Sequence, residues 1–246
     1  TNNFSMQVSY SYSDCVDISS GSWGGEGGTN ASIAYDLQAD RGPCNFQVRH
    51  NLTTNGLYQF PFKGNQLVEG WQLGGIFYFS TGAPFTVSGF SDSAFDLGGG
   101  NVRANYSAGN PGCNSQPTNF RVTPTGTFYV NPACFTSPSL GEPGNLGRNV
   151  LFTPSFATFN ANLQKMTRVS ERVSIQFRME AFNLFNRKNF TFTGQTAVSL
   201  AQQGTGSAAA LATGITSSTF GKFLTVTGYP LNGSARQIQA GLKIIF

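Results

Sequence analysis

Six stretches of the chain alternate apolar and polar residues with a period of two, and the connections between them are short and long by strict turns. The sharpest stretch sets Val173, Ile175, Phe177, Met179 and Ala181 against Ser174, Gln176, Arg178 and Glu180. A period of two with one apolar face predicts β-strands, here over about 3–13, 46–60, 69–80, 159–167, 172–184 and 236–246. The second and third stretches are separated by little more than "PFKGNQLV", and the fourth and fifth by a few residues around 169–171. The other connections, about 14–45, 81–158 and 186–235, are long. Compact soluble domains keep most connections short. Transmembrane β-barrels place short turns on the periplasmic side and long loops outside. The expected fold is therefore all-β, an antiparallel transmembrane β-barrel with long extracellular loops.

Composition agrees with that reading. Only 11% of residues are charged, against about 25% in a typical soluble domain. The net charge of +4 is scattered, and without a basic run nucleic acid is not an expected partner. No apolar run reaches the roughly 18 residues of a transmembrane helix, which leaves barrel strands as the way to cross. In a barrel, Ile175, Phe177 and Met179 face lipid, while Gln176, Arg178 and Glu180 face a wet lumen where charge costs little. Trp71, Tyr12 and Phe246 fit aromatic girdles at the two interfaces. Strands of a soluble secreted β-sandwich would explain any one stretch but not the alternation of connection lengths. About eight strands is the smallest such barrel, so six need further strands. The chain also opens inside an alternating stretch (Phe4, Met6, Val8, Tyr10, Tyr12) and ends inside another, the pattern expected of a fragment.

Cys15, Cys44, Cys113 and Cys134 all fall in the long connections. None has C-x2-C spacing, which argues against zinc. In an exported protein they form two disulfides; of the three possible pairings, the local one, Cys15–Cys44 with Cys113–Cys134, is expected. His50 has no nearby acid, cysteine or serine in a catalytic pattern, so its expected role is structural. The glycine clusters at 24–28 and 97–101 lack the strand, lysine and helix of a phosphate cradle. The acids Asp14, Asp17, Glu26, Asp36, Asp40, Asp92 and Asp96 are too sparse for an EF-hand loop. Glycosylation sequons at Asn105 and Asn189 matter only in a eukaryotic secretory setting, and the Ala-rich 199–214 carries no chemistry. No catalytic, cofactor or metal residue is assigned, and the chain is not expected to be an enzyme.

Six blocks in order carry a family resemblance: "DLQADRGPCNFQVRHNL" (36–52), "WQLGGIFYFSTGAPFTV" (71–87), "NPACF" (131–135), "GNLGRNVLFTPSF" (144–156), "QFRMEAFNLFNRKNF" (176–190) and the closing "FGK…RQIQAGLKIIF". Together they resemble the C-terminal barrel portion of Oar-like TonB-dependent outer-membrane receptors of the acidobacterial type, which carry an N-terminal carboxypeptidase-regulatory-like domain and a plug. The resemblance implies a barrel of about 22 strands, of which residues 1–246 supply the last six. It implies uptake of an unidentified extracellular nutrient, powered through a TonB-type coupler that engages N-terminal parts not in this sequence. It also implies that Ala240, Leu242, Ile244 and Phe246 form the signal read by the barrel assembly machinery. With the short turns periplasmic, the last strand descends through outer-membrane lipid and the C-terminus is expected to be periplasmic. The alternative is a surface structural or adhesive outer-membrane protein without transport activity.

Overall fold

The computed structural model describes residues 3–20, 36–87, 103–110, 113, 121–123, 126–128, 134–136, 138–139, 143–191, 224–225 and 235–246. Its frame is six long strands: β1 (Phe4–Tyr12), β2 (His50–Gln59), β3 (Trp71–Ser80), β4 (Phe156–Arg168), β5 (Ser174–Phe182) and β6 (Gln237–Ile245). Each pairs antiparallel with its neighbours in the sequence, so the six-stranded sheet is a meander open at β1 and at β6. The remaining described strands are pairings of two or three residues, each within a single long connection, and the described helix is one 3-10 turn, Leu37–Asp40. Among the described residues no helix is long and apolar enough to cross a membrane.

Every pairing of the long strands preserves parity, and this turns six separate alternations into two continuous faces. One row crosses all six strands as Phe4, Tyr58, Leu73, Leu163, Met179 and Ala240. The next row, on the opposite face, reads Ser5, Leu57, Gly74, Asn162, Glu180 and Gln239. A single-residue slip at any pairing would put apolar residues on the polar face beyond it. The apolar face is also open: Met6 is 60% and Leu242 66% exposed. A patch of this extent marks an interaction with another apolar phase rather than water. Side-chain amides link strands across the polar face. Gln164 donates to Gln72, Gln176 donates to Gln164 at 3.4 Å, and Glu180 accepts from both Arg178 (3.3 Å) and Gln239.

Both short connections are tied by local bonds. Between β4 and β5, Ser170 Oγ accepts from the Val173 N–H at 3.2 Å and the Val169 N–H donates to the Val173 carbonyl at 2.9 Å. Between β2 and β3, Asn65 Oδ1 accepts from the N–H groups of Leu67 (3.0 Å) and Val68 (3.2 Å), and Glu69 accepts from Gly64 N–H at 2.8 Å. Gly70 closes this turn at φ +79°, where a Cβ would lie 2.3 Å from the Met166 carbonyl oxygen. Gly70→Ala is expected to cost about 1–3 kcal/mol, the range of a strained left-handed residue. Denaturant unfolding of the folded protein checks this; a change below the error of the unfolding curve would mean the turn can relax.

Two strand boundaries differ from the sequence expectation. Residues 46–49 do not join β2: Gln47 is 2% exposed, and its Nε2 donates to Asp14 at 2.6 Å. β4 starts at Phe156, because Phe156, Ala157 and Thr158 pair with Ser80, Phe79 and Tyr78.

Candidate functional site

The buried apolar cluster lies in the connection between β3 and β4 rather than on the sheet. Phe85, Val87, Ala104, Cys134, Phe135, Leu146 and Leu151 pack together with Tyr106, Cys113 and Val150 against them. Short pairings frame it: Pro84–Phe85 with Leu151–Phe152, and Asn105–Tyr106 with Phe135–Thr136. The disulfide Cys113–Cys134 is built into this cluster, and Cys15–Cys44 staples the connection between β1 and β2 beside the pairing of Val16–Asp17 with Gly42–Pro43. Each closes a loop of 21 or 29 residues, for which the chain-entropy account gives about 3–4 kcal/mol.

Two consecutive residues join the first long connection to the second. Arg148 donates from Nε to the Asp40 carbonyl (2.6 Å), from Nη1 to Ser20 Oγ (3.2 Å), and from Nη2 to the carbonyls of Asp17 (2.8 Å) and Gly42 (3.2 Å) and to the Asp17 carboxylate. Gly42 permits the approach, since a Cβ there would sit 2.3 Å from the Arg148 carbonyl oxygen. Asn149, at φ 56°, donates to the Pro43 carbonyl and Asn45 Oδ1, both at 2.6 Å, and accepts from Thr86 Oγ1 at 3.0 Å. Arg103 forms a buried ion pair with Asp40 and donates to the Ala39 carbonyl at 3.0 Å. Asp40 therefore serves both arginines, its carboxylate for Arg103 and its carbonyl for Arg148. The 3-10 turn that presents it is capped by Asp36, whose Oδ1 accepts from Gln38 N–H at 3.1 Å.

Asparagines fasten the start of the third long connection. Asn189 is fully buried, accepting from Ala157 N–H (3.0 Å) and donating to the Ala157 carbonyl (2.9 Å), so its amide stands in for a neighbouring strand. Asn183, at φ 47°, bonds both backbone polar groups of Arg187. The sequon residue Asn189 is thus structural, and Asn105 accepts from Asn145 N–H at 3.0 Å.

The polar face below this assembly is graded. The rows nearest the long connections, Ser11–Asn51–Ser80–Phe156 and Ser9–Thr53–Tyr78–Thr158, hold no charge. Its charged groups Arg168, Arg178, Glu180 and Lys243 lie from the row of Asn162 toward the short connections. What this end of the molecule offers is a stapled surface beside an uncharged part of the polar face.

The other residues marked in the sequence are placed as follows. His50 lies on the apolar face at the end of β2, where Tyr10 Oη and His50 Nδ1 share a 2.8 Å hydrogen bond and Tyr12 packs 5.3 Å away. Ala240, Leu242 and Ile244 lie on the apolar face of β6, and Phe246 beyond it is 96% exposed. The glycine clusters at 24–28 and 97–101, Glu26, Asp92, Asp96 and the Ala-rich 199–214 lie outside the described residues. Among the described residues no three His, Cys, Asp or Glu side chains group as a metal site. Sequence reasoning missed Arg103, Arg148, Asn149 and Gln47. The one local signal was the pair of glycines, Gly144 and Gly147, beside an arginine set between two asparagines, Asn145 and Asn149.

A family model described as "Outer membrane beta barrel domain" matches residues 1–239. No curated protein matches the chain, and no solved structure does.

Proposed function

The chain belongs to the outer membrane beta barrel domain family and is an outer-membrane protein, and from that premise we propose that it is the C-terminal portion of an energy-coupled receptor that imports an extracellular nutrient. The observation that carries the reading is the pair of faces that cross all six strands. One is mainly apolar apart from His50 and Lys165, and the other is mainly of amides and hydroxyls, interrupted by Leu57, Ile76, Met166 and Ile245. A wall of that kind separates lipid from a watery passage. The unpaired outer edges of β1 and β6 support a larger barrel, since backbone groups left open in lipid cost several kcal/mol each, of order 3 or more. In this reading the long connections are extracellular and the short ones periplasmic. The stapled assembly meets the nutrient, and a TonB-type coupler acts through parts outside residues 1–246.

Mass spectrometry of the native outer-membrane protein tests the proposal. One receptor-sized polypeptide carrying these peptides, with uptake that stops when the proton gradient is collapsed, is the expected result. A stable species of this chain's size alone would favour the surface structural or adhesive alternative.

Phe246, Ile244, Leu242 and Ala240 are proposed as the assembly signal. Phe246 packs against little, so its effect should fall on recognition rather than on folded stability. In the full-length protein Phe246→Ala is expected to lower the amount inserted while leaving the melting of the inserted fraction unchanged. Protease-protected protein in outer-membrane fractions, set beside melts of purified barrel, separates the two. Normal insertion would remove the assignment.

A further inference from the structure

The connection between β2 and β3 is more than a turn. Its backbone is drawn over the apolar face by two side chains of that face, Trp71 and Lys165, which are register partners on β3 and β4. Lys165 Nζ donates to three carbonyls of the connection, Gln66 (2.6 Å), Leu67 (2.7 Å) and Glu69 (3.0 Å). Trp71 Nε1 donates to the Leu67 carbonyl at 3.2 Å, and the ammonium lies 5.1 Å from the indole centroid. A lysine on an apolar surface ordinarily extends its charge toward water. Here its donors are spent on carbonyls of the connection, whose exposed residues set Leu67, Phe62 and Val68 beside the charged Lys63 and Glu69. Leu67 is 80% exposed, with Phe62 at 48% and Val68 at 42%. Phe60 and Phe62 stack at 5.2 Å and continue the aromatic edge from Tyr58.

We propose that residues 60–70 form a membrane-interface anchor, in which Leu67 and Phe62 enter the headgroup and upper acyl region of the leaflet on the short-connection side. The occupant is a glycerophospholipid interface recognised by apolar insertion. Continuity identifies it: the connection lies on the same surface that the strands turn to lipid, and the inference rests on that reading of the apolar face. The Asn65 and Glu69 bonds fix the turn internally, so the anchor is preformed and loses little conformational freedom on insertion.

The test uses the full-length protein in phosphatidylcholine–phosphatidylglycerol vesicles. The cysteines here are paired in disulfides, so a single new thiol takes an environment-sensitive fluorophore. Three positions are compared: Leu67→Cys in the anchor, Glu171→Cys in the other short turn, and Phe177→Cys on the apolar face. The label at 67 is expected to be blue-shifted, quenched by lipid-borne bromine near the headgroups, and severalfold less accessible to iodide than the label at 171. With Lys165→Met added, the protection at 67 should fall toward that at 171 while the label at 177 stays unchanged. A label at 67 as wet as that at 171, with 177 in lipid, overturns the anchor and leaves the facing intact. A wet label at 177 overturns the facing and the anchor with it. Unchanged protection at 67 in the folded Lys165→Met protein overturns the clamp.

Discussion

Met179→Arg is expected to destabilise the inserted protein by about 2–4 kcal/mol, the cost of a cation on the lipid face near the bilayer midplane. Gln239→Arg, one row away on the opposite face, should stay within about 0.5 kcal/mol. Met179 is flanked across the strands by Leu163 and Ala240, so a guanidinium there has no partner and no water. Gln239 lies beside Glu180 and already donates to it, so an arginine in its place finds an anion. A soluble sandwich with the apolar face inside would also reject arginine at 179. Leu163→Phe separates the two cases. Lipid chains move aside for an extra ring, whereas a packed protein interior loses about 1–3 kcal/mol to the added volume. Equilibrium urea unfolding in vesicles reads all three variants. Equal losses for Met179→Arg and Gln239→Arg would reject the two-faced sheet, and a clear loss for Leu163→Phe would reject lipid as the apolar partner.

What the sequence disclosed was set by whether the cause was local. The alternation of Ser174–Phe182 marks a strand on its own, because neighbours two apart share a face whatever the partner strand does. In Trp71–Ser80 the pattern blurs at Ile76 and Tyr78, yet the register still puts Phe77 and Phe79 on the apolar face beside Thr54 and Leu52. The disulfides were legible for the same reason, since each joins cysteines within one connection. Arg148 was not legible: its acceptors Asp17, Ser20, Asp40 and Gly42 lie more than a hundred positions away. Nor was the role of Asn189, whose amide completes the pairing of Ala157 from another connection. Period and spacing reveal faces and local staples; a long-range polar clasp has no period to reveal it.

That clasp makes the second large prediction. Arg148→Met should uncouple the first long connection from the second while leaving the sheet as it is. The side chain is buried, at 6% exposure against 25% for Asp17. Its removal takes the shared donor from the carbonyls of Asp40 and Gly42 and from the Asp17 carboxylate, which keeps only the Ser20 hydroxyl at 2.7 Å. Removing one partner of a buried pair costs about 3–5 kcal/mol, because the remaining group keeps its desolvation and loses its compensation. Arg148→Lys should recover only part of this, since an ammonium keeps the charge but cannot reproduce the planar fork that reaches four residues. The disulfides remain, so each connection stays closed on itself, and what is lost is their contact. Amide hydrogen exchange resolves that distinction. At about 1.4 kcal/mol per tenfold, amides of Cys44, Gln47 and Asn149 should exchange a hundredfold or more faster in Arg148→Met, with those of Leu163 and Phe177 unchanged. Exchange that quickens equally in the strands would mean that the assembly and the sheet unfold as one unit. Exchange unchanged everywhere would mean that Asn149 and the Arg103–Asp40 pair hold the connections together without Arg148.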